Sequence, residues 1–252
     1  MTTPKVSVVM SCFNTSSTLT AAIDSILDQT FRDFEFVIVD DGSTDDTLDR
    51  LKSYQKTDER IKVIANEENI GLAASLNTGI QAASASLIAR MDADDISMST
   101  RLEKQVSFLS KHPSVHIVGA GIIEMNQAGE TGLTQILPEE HSDIITRVFK
   151  KPLLFHPTIM VRKEVYTGVG MYNPSIRWAE DADLWYRIYD QVKFHNLQEP
   201  LLYYRIKEKF RIRHARQNLR VKIDNLKKRG LLVRYSPQVA YDMINFCRKM
   251  IL

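Results

Sequence analysis

Apolar residues in the first half of the chain follow two alternating spacings. Short runs rich in β-branched residues predict buried strands, and stretches with apolar residues three or four positions apart predict amphipathic helices. The predicted strands are 6–10, 34–39, 61–65 and 87–91. The predicted helices are 18–28, a helix capped by Ser43 or Thr44, 71–83 and 100–111. Strands that alternate with helices of this length indicate βαβ units around a parallel sheet.

The pattern becomes less regular after residue 115, which indicates a mixed α+β second half. The predicted strands there are 116–123, the segment after Gly129, 156–161, 192–197 and 201–205, and the predicted helices are 142–149 and 180–189. No repeat and no low-complexity linker divides this part of the sequence. We therefore expect one α/β domain over 1–205, made of halves 1–115 and 116–205, followed by a basic helical tail over 206–252.

The charged residues are distributed unevenly along the chain. The whole sequence has 33 Lys and Arg against 31 Asp and Glu, a formal charge of +2. Residues 205–229 alone carry +9, which leaves −7 for the rest. The cations of this segment are Arg205, Lys207, Lys209, Arg211, Arg213, Arg216, Arg220, Lys222, Lys227, Lys228 and Arg229. Basic helices with apolar residues suit an anionic membrane surface, so residues 205–252 are a candidate membrane contact; a solvated basic helix is the alternative.

The composition excludes several classes of protein. With 44% hydrophobic and 25% charged residues, the chain is typical of a globular protein and not of a disordered or collagen-like one. No run approaches the roughly 18 apolar residues that a membrane-spanning helix needs. The first residues lack the features of a signal peptide, and Cys12 and Cys247 form no disulfide or metal-binding pattern. We therefore expect a cytoplasmic protein that can lie against the inner face of the membrane.

Acidic residues follow two of the predicted strands, and the larger cluster is Asp92, Asp94 and Asp95. In parallel sheets, ligands bind beyond the carboxyl ends of the strands. Neighbouring carboxylates repel one another and are commonly neutralised by a cation, and oxygen ligands select hard cations such as Mg²⁺ or Mn²⁺. A solvated turn that caps the helix at Thr100 is the alternative. The position at a strand end, just after Arg90, favours the metal site.

Asp41 ends the other strand. A carboxylate in this position can accept hydrogen bonds from a nucleotide base or from ribose hydroxyls. The following residues 42–45 read GSTD, which is also an ordinary turn and helix cap. Both interpretations can hold together, with Asp41 binding a ligand while residues 42–45 form the turn.

The second half offers a third group of polar residues. Glu180 and Asp181 begin a predicted helix and follow Trp178, and His156 precedes a proline. A carboxylate within reach of a hydroxyl could act as a general base, and Trp178 could supply an apolar face for a sugar ring. Stabilisation of the helix N-terminus by a carboxylate explains the same acidic residues, so both interpretations stay open.

Five segments together resemble the family 2 glycosyltransferases in order and spacing over about residues 4–205. They read PKVSVVMSCFN (4–14), VDDGSTD (39–45), NIGLAASLNTGI (69–80), RMDADD (90–95) and AED (179–181). Each segment alone is a weak signal, but the five in order are specific. The resemblance implies a GT-A fold, a nucleotide-sugar donor, a divalent metal (Mn²⁺ or Mg²⁺) and inversion at the anomeric carbon.

The resemblance also implies roles for residues on the donor side. Phe13 and Asn14 would line the nucleotide site, and Asp41 would contact the uracil of a UDP-sugar. Asp92 would contact the ribose or the diphosphate, and Arg90 would belong to the same nucleotide-sugar site. The shared motif around Asp41 does not by itself select uridine over other bases.

The remaining implied roles concern the metal and the acceptor. Asp94 would be the main metal ligand, with Asp95 beside it. Asp181 would be the catalytic base that takes the proton from the acceptor hydroxyl. The residues expected to contact the acceptor are His156, Trp178 and Glu180.

One departure from the family pattern narrows the implied reaction. Processive synthases of the family carry a Gln-x-x-Arg-Trp motif and transmembrane helices, whereas residues 203–205 here read YYR and precede the basic tail. The resemblance therefore implies non-processive transfer of one hexose or N-acetylhexosamine from a UDP-sugar to a glycan or lipid-linked glycan acceptor. Bacterial enzymes that build surface polysaccharide or lipopolysaccharide have similar motifs.

Two other classes of protein compete with this interpretation. A sugar-nucleotide pyrophosphorylase shares a similar fold and metal chemistry, but it would carry a Gly-rich, Arg-containing loop after the first strand, where this chain reads SCFNT (11–15). A nucleic-acid-binding module would suit the basic tail but not the acidic body, so we expect no nucleic-acid partner. No feature of the sequence indicates an oligomeric state.

Overall fold

The computed structural model describes residues 3–206 and 212–251, apart from the side chains of residues 212–215 and 246–251. The strands are β1 (Val6–Cys12), β2 (Phe34–Asp40), β3 (Ile61–Ala65), β4 (Leu87–Asp92), β5 (Ile96–Ser97), β6 (Ile117–Met125), β7 (Thr131–Gln135), β8 (Met160–Arg162) and β9 (Phe194–Arg205). The α-helices are α1 (Leu19–Leu27), α2 (Thr47–Thr57), α3 (Leu72–Ala82), α4 (Arg101–Lys111), α5 (His141–Ile145), α6 (Lys163–Val169), α7 (Glu180–Ile188), α8 (Ile212–Lys228) and α9 (Ser236–Ile251).

The strands form one mixed sheet that brings three loops together. Its order is β3-β2-β1-β4-β8-β6-β9-β5, and β7 pairs with β6 outside this path. Strands β1 to β4 are parallel, whereas β8 runs antiparallel to both β4 and β6. Because β1, β2 and β4 are neighbours and parallel, the loops after their carboxyl ends meet at one edge of the sheet.

Helices pack on both faces of the sheet. On one face, α1 and α4 pack against alternate residues of β1, such as Val8. On the other face, α3 packs against Val9, as expected for side chains that alternate along a strand. The second apolar core continues through α7 into the two C-terminal helices, where its members are Val221, Leu226 and Val239. The C-terminal helices therefore share a core with the rest of the fold.

The strands and helices predicted for the first half are all present. The prediction that Ser43 or Thr44 caps the second helix is wrong. Helix α2 begins at Thr47, whose N–H donates to Asp45 Oδ1 at 3.0 Å. Ser43 and Thr44 bind the loop after β1 instead: Ser43 Oγ accepts from the Asn14 N–H at 3.0 Å, and the Thr44 N–H donates to Asn14 Oδ1 at 2.8 Å. These contacts between two loops could not be read from local helix-capping preferences.

The second half departs further from the predicted elements. Helix α5 ends at Ile145, short of the predicted residue 149, and residues 156–161 form a 3₁₀ turn (His156–Thr158) before the short β8. The two strands predicted at 192–197 and 201–205 are one strand, β9, whose register with β6 shifts around Gly121. Pro200 lies at this irregularity, because a proline cannot donate a ladder hydrogen bond. Helix α6 and strand β5 were not predicted.

The predicted basic tail is helical, but part of its charge is used within the fold. Arg205 is buried at the end of β9. Lys222 Nζ lies 2.5 Å from Asp242 Oδ2, and Arg229 Nη1 lies 2.5 Å from Asp190 Oδ2. Arg220 Nε also lies 3.8 Å from Asp224 Oδ2, so four of the cations counted above have partners within the described residues. Lys207, Lys209 and Arg211 lie outside the described residues. Within the described ranges, no helix has the length and apolar character required to span a membrane.

Buried Glu35 of β2 connects β1, β3 and the loop after α3, and we expect it to contribute to the stability of the fold. Its carboxylate accepts hydrogen bonds from Ser7 Oγ (2.6 Å), Lys62 Nζ (2.6 Å) and the Ser84 N–H (2.6 Å). Burial raises the pKa of Glu35, but the hydrogen bonds from Lys62, Ser7 and Ser84 outweigh it and bring the pKa from 4.5 to about 2. We expect Glu35→Gln to lower the free energy of unfolding at pH 7 by about 2–3 kcal/mol in urea titrations.

The direction of the pKa shift predicts how the stability contribution of Glu35 changes with pH. Since the pKa is lowered on folding, the Glu35 contribution is complete above pH 4.5 and is lost as the pH falls towards about 2. The wild-type protein and Glu35→Gln should therefore converge in stability at acid pH. The exposed Glu59→Gln is the matched control, and an equal effect of both substitutions would contradict the role of the network.

Candidate active site

The end of β4 carries a buried ion pair. Arg90 Nη1 donates to Asp92 Oδ2 at 2.6 Å, and Arg90 Nη2 contacts Asp92 Oδ1. Burial lowers the pKa of Arg90, but Asp92 and the surrounding carboxylates raise it above its usual value. Arg90 is therefore a permanent cation at the centre of the acidic edge.

Two fully buried residues of α4 hold this strand end in place. Arg101 Nη2 donates to the Arg90 carbonyl at 2.5 Å, and Gln105 Nε2 donates to the Thr158 carbonyl at 2.6 Å. Burial, followed by repulsion from Arg90, lowers the pKa of Arg101 to about 9. The same helix therefore connects β4 to the 3₁₀ turn that contains His156.

Asp92, Asp94 and Asp95 come together after β4 as the sequence predicted. Each offers one carboxylate oxygen, and these oxygens lie within 4.8 Å of one another. Asp95 is buried, and burial together with the charge of Asp92 raises its pKa to about 8. Its Oδ1 accepts from the Arg205 N–H at 2.8 Å, but its buried Oδ2 has no hydrogen-bond partner in the described part of the chain. Converging carboxylates with such an unsatisfied oxygen fit a hard divalent cation.

Arg205 fixes the acidic loop from the opposite strand. Its Nε donates to the Asp94 carbonyl at 2.8 Å, and its Nη1 donates to the Asn126 carbonyl at 2.9 Å. In the sequence, Arg205 counts among the cations of the basic segment 205–229, and its role in the acidic loop was not predicted. The pairing of β5 with β9, which places residue 205 beside the 92–95 loop, is a long-range contact that no local pattern indicates.

Asp41 lies at the same edge and holds a neighbouring loop. Its Oδ1 accepts from Asn66 Nδ2 at 3.0 Å and from the Ile70 N–H at 2.9 Å, and its Oδ2 accepts from the Gly71 N–H at 2.9 Å. The 66–71 loop therefore depends on this carboxylate, and the predicted contact with uracil stays a prediction. Gly42 follows with φ of +72°, where a Cβ atom would lie 2.6 Å from the Glu68 backbone, so the motif needs glycine here.

Phe13 and Asn14 follow β1 beside this loop. Phe13 is exposed although it is large and apolar, which suits a ring that stacks on a ligand. Asn14 has φ of 51°, a left-handed conformation that asparagine tolerates. The hydrogen bonds between Asn14 and residues 43–44 close the loops after β1 and β2 around the site.

The start of α7 brings two acidic side chains within electrostatic range of Arg90. Ala179 adopts a left-handed conformation (φ 68°) that is unfavourable for a non-glycine residue and ends the preceding loop abruptly. Burial raises the pKa of half-buried Asp181, and the Ala182 N–H and Arg90 only partly oppose this rise. Burial and the charge of Asp181 raise the pKa of Glu180 to about 8. Two neighbouring carboxyls, both with raised pKa values, therefore stand at the start of α7.

His156 lies next to Glu180 and is neutral. Burial, followed by repulsion from Arg90, lowers its pKa well below 6.5. Its Nε2 is 2.7 Å from the Tyr172 hydroxyl, and its Nδ1 is 3.7 Å from Glu180 Oε1. Burial raises the pKa of Tyr172 well above 10, so Tyr172 is a neutral hydroxyl. Tyr172 was not predicted from the sequence, because its partner His156 is sixteen residues away and Tyr172 lies in a segment without regular structure.

The predicted residues thus form one edge with Arg90 at its centre. Arg90 lies against Asp92 and within electrostatic range of Glu180 and Asp95. Asp181 in turn is influenced by Arg90 and Asp92. Trp178 is half-buried, one residue before the left-handed turn that leads into α7. The predicted metal ligands and the predicted base therefore belong to a single site.

Comparison with known proteins agrees with this geometry. The family model described as Glycosyl transferase family 2 matches residues 7–170. The chain is 41% identical over 209 residues to EpsE of Bacillus subtilis (strain 168), covering 81% of this chain and 73% of that protein. It is 35% identical over 209 residues to the O-antigen biosynthesis glycosyltransferase WbnJ of Escherichia coli, covering 81% and 80%. The chain belongs to glycosyl transferase family 2 and is an enzyme of that family.

Solved structures show the same fold at low sequence identity. Staphylococcus aureus TarS in complex with UDP-GlcNAc has a TM-score of 0.67 and 18% identity, over 96% of this chain and 80% of that one. The mannosyltransferase PcManGT of Pyrobaculum calidifontis, in complex with GDP-Man and Mn²⁺, has a TM-score of 0.68 and 16% identity, over 98% and 70%. The predicted GT-A fold is confirmed.

Proposed function

We propose that this enzyme transfers one hexose or N-acetylhexosamine from a UDP-sugar to a hydroxyl of a glycan or lipid-linked glycan, with inversion, in the synthesis of a surface polysaccharide. The observation that carries the proposal is that Asp181 and the acidic loop after β4 both lie within electrostatic range of Arg90. A single displacement requires a base for the acceptor hydroxyl and a group that stabilises the charge of the leaving diphosphate.

Asp181 is the group that would accept the proton. Its raised pKa makes it a stronger base than an ordinary aspartate. As the acceptor hydroxyl loses its proton to Asp181, its oxygen forms a bond to the anomeric carbon of the donor. The bond from that carbon to the diphosphate oxygen breaks on the opposite face, and one such displacement inverts the configuration.

The acidic cluster after β4 would hold a divalent cation, Mn²⁺ or Mg²⁺. Asp94 and Asp95 are the proposed ligands, and Asp92 lies within the same cluster and also engages Arg90. When bound, such a cation neutralises the charge that develops on the diphosphate leaving group. Arg90 supplies a second, permanent positive charge on the same edge. Buried charges of this kind stabilise a developing anion more strongly than exposed ones do.

The donor and the pathway are supported by the names of similar proteins. TarS was solved with UDP-GlcNAc and PcManGT with GDP-Man and Mn²⁺, so the fold accommodates different nucleotides and a divalent cation. WbnJ is named for O-antigen biosynthesis, which supports a surface-glycan acceptor. Phe13, Asn14 and Asp41 would form the nucleotide side, and His156, Trp178 and Glu180 the acceptor side.

The proposed setting is the cytoplasmic face of a membrane. The exposed side chains of α9 include apolar Tyr241, Met243 and Ile244, and α8 exposes cations including Arg216, Arg220 and Lys227. A surface that combines cations with apolar side chains suits anionic lipid. The contact of residues 205–252 with such a membrane stays a prediction.

A donor screen tests the proposed function. The protein is incubated with UDP-glucose, UDP-galactose, UDP-N-acetylglucosamine, UDP-N-acetylgalactosamine and the GDP-mannose control, each with Mn²⁺, Mg²⁺ or EDTA, and nucleotide release is measured. We expect release from at least one UDP-sugar to be stimulated by metal and abolished by EDTA. Release from GDP-mannose alone would overturn the uridine assignment, and EDTA-insensitive release would overturn the metal requirement.

A further inference from the structure

A cavity of about 370 Å³ opens beside the candidate active site. Its wall combines the segment 150–154, the start of α7 and the two C-terminal helices. This volume falls in the range of small-molecule sites. The residues of α8 and α9 that line it are Asn218, Leu219, Lys222, Asp242 and Asn245. The C-terminal helices therefore complete a cavity in addition to packing on the core.

The cavity reaches the proposed catalytic base. Asp181 lines it, and the same carboxylate is influenced by Arg90 and Asp92 of the donor edge. A molecule in the cavity would thus contact Asp181, the group proposed to take the proton from the acceptor hydroxyl.

The floor of the cavity contains an unsatisfied hydrogen-bond donor. Trp185 lines the cavity and is only 3% exposed, and its indole N–H has no acceptor among the residues that the structure describes. Buried indole N–H groups usually find a partner, because leaving one unpaired costs free energy. An acceptor oxygen bound beside Asp181 would supply that partner. Leu153, Leu154 and Tyr186 provide apolar surface around it.

Two adjacent lysines give the cavity a positive side. Lys150 and Lys151 line it, are exposed, and form no ion pair with any carboxylate in the described ranges. Lys222 differs, because its charge is balanced by Asp242. Two neighbouring unpaired ammonium groups are suited to a phosphate, which lysines bind as point charges.

We propose that this cavity is the acceptor pocket, that it binds a sugar carrying a phosphate group, and that Lys150 and Lys151 hold the phosphate while Asp181 and Trp185 face the sugar. The inference rests on the proposed function for the identity of Asp181. It assigns α8 and α9 a direct part in acceptor binding, beyond any membrane contact. The residues that line the cavity favour a phosphate-linked glycan as the acceptor.

Fluorescence can test this pocket directly because the chain has two tryptophans. Comparison of the wild-type protein with Trp185→Phe, which keeps Trp178, shows which part of the fluorescence change arises in the cavity. The full-length protein, with UDP and Mg²⁺ at saturation to occupy the donor side, is titrated with N-acetylglucosamine 1-phosphate and with neutral methyl N-acetylglucosaminide. We expect a Trp185 response to both probes and at least tenfold tighter binding of the phosphate.

Three sets of substitutions separate the contributions. Lys150→Gln with Lys151→Gln should raise the Kd of the phosphate probe about tenfold or more and that of the neutral probe less than twofold. Asn218→Phe, which places a ring in the cavity from exposed α8, should weaken both probes. Lys52→Gln with Lys56→Gln removes the same charge from exposed positions of α2 and should change neither Kd.

Several outcomes would overturn the inference. The wild-type protein would bind the two probes with equal affinity, or would bind neither of them. Alternatively, the double lysine variant would show no selective loss of affinity for the phosphate probe, or Asn218→Phe would bind both probes normally. Wild-type release of nucleotide from the donor, measured in the screen above, decides the proposed function separately. If the protein releases UDP in the presence of metal but binds the probes in one of the ways above, the proposed function stands and only the acceptor-pocket proposal is overturned.

Discussion

Asp181→Asn is expected to reduce the rate of sugar transfer by about 10²–10⁴-fold while leaving the affinity for UDP unchanged. Asparagine has the shape of aspartate but cannot accept the proton of the acceptor hydroxyl. The Asp92–Asp95 loop and the 41–45 turn, which would bind the nucleotide, do not depend on this side chain for a hydrogen bond. Transfer is measured as UDP release with acceptor, and UDP affinity by calorimetry.

Glu180→Gln is the informative comparison. Because the pKa of Glu180 is raised to about 8, its carboxyl is largely protonated at neutral pH, and glutamine resembles that form. The loss of transfer should therefore be much smaller than for Asp181→Asn. Normal transfer by Asp181→Asn together with a large loss in Glu180→Gln would move the base to Glu180.

The pH profile of kcat/KM gives a second test of the same assignment. Only the ionised Asp181 can accept a proton, so activity should fall as the pH falls through its pKa, which burial raises above the usual 3.8. The acid limb should lie above that value and disappear in Asp181→Asn. The charged groups that influence or face Asp181 are Arg90, Asp92, Glu180, Lys150, Lys151, Lys222 and Asp242.

The first half of the fold could be predicted because its signals are local. Its strands β1 and β2 are continuous runs of buried residues, and helix α1 between them has one apolar face. The acidic residues Asp41 and Asp92 directly follow or end such strands, so their meeting at one edge follows from parallel topology. Predicting this edge required no knowledge of any long-range contact.

The second half could not be predicted to the same depth because its contacts are distant in sequence. Strand β9 pairs in parallel with β6, and its register is irregular near Pro200. In the sequence, the proline suggests that one strand ends and another begins there, so two strands were predicted. Arg205 belongs to the acidic loop through contacts about a hundred residues away along the chain. From the sequence alone, the apolar face of α8 could contact either lipid or protein. In the structure, Val221 and Leu226 of this face pack in the hydrophobic core of the protein.

The cation site provides the other large expected effect, through Asp94→Asn. Removing this carboxylate should lower metal-stimulated nucleotide release by at least about 100-fold, because a cation that neutralises the leaving group is worth several kcal/mol. Binding of Mn²⁺ in the presence of UDP, followed by electron paramagnetic resonance, should weaken in parallel. Asp94 is the better position to change, since Asp95 is buried and also accepts the Arg205 N–H.

Asp49→Asn, on the exposed side of α2, is the matched control for the loss of one negative charge. It should retain both the metal-stimulated rate and the affinity for Mn²⁺. If Asp94→Asn binds Mn²⁺ as the wild-type protein does but loses activity, the carboxylate contacts the substrate and not the cation. If both properties survive in Asp94→Asn, the cation is held elsewhere, and Arg90 becomes the principal group that could stabilise the diphosphate at this edge.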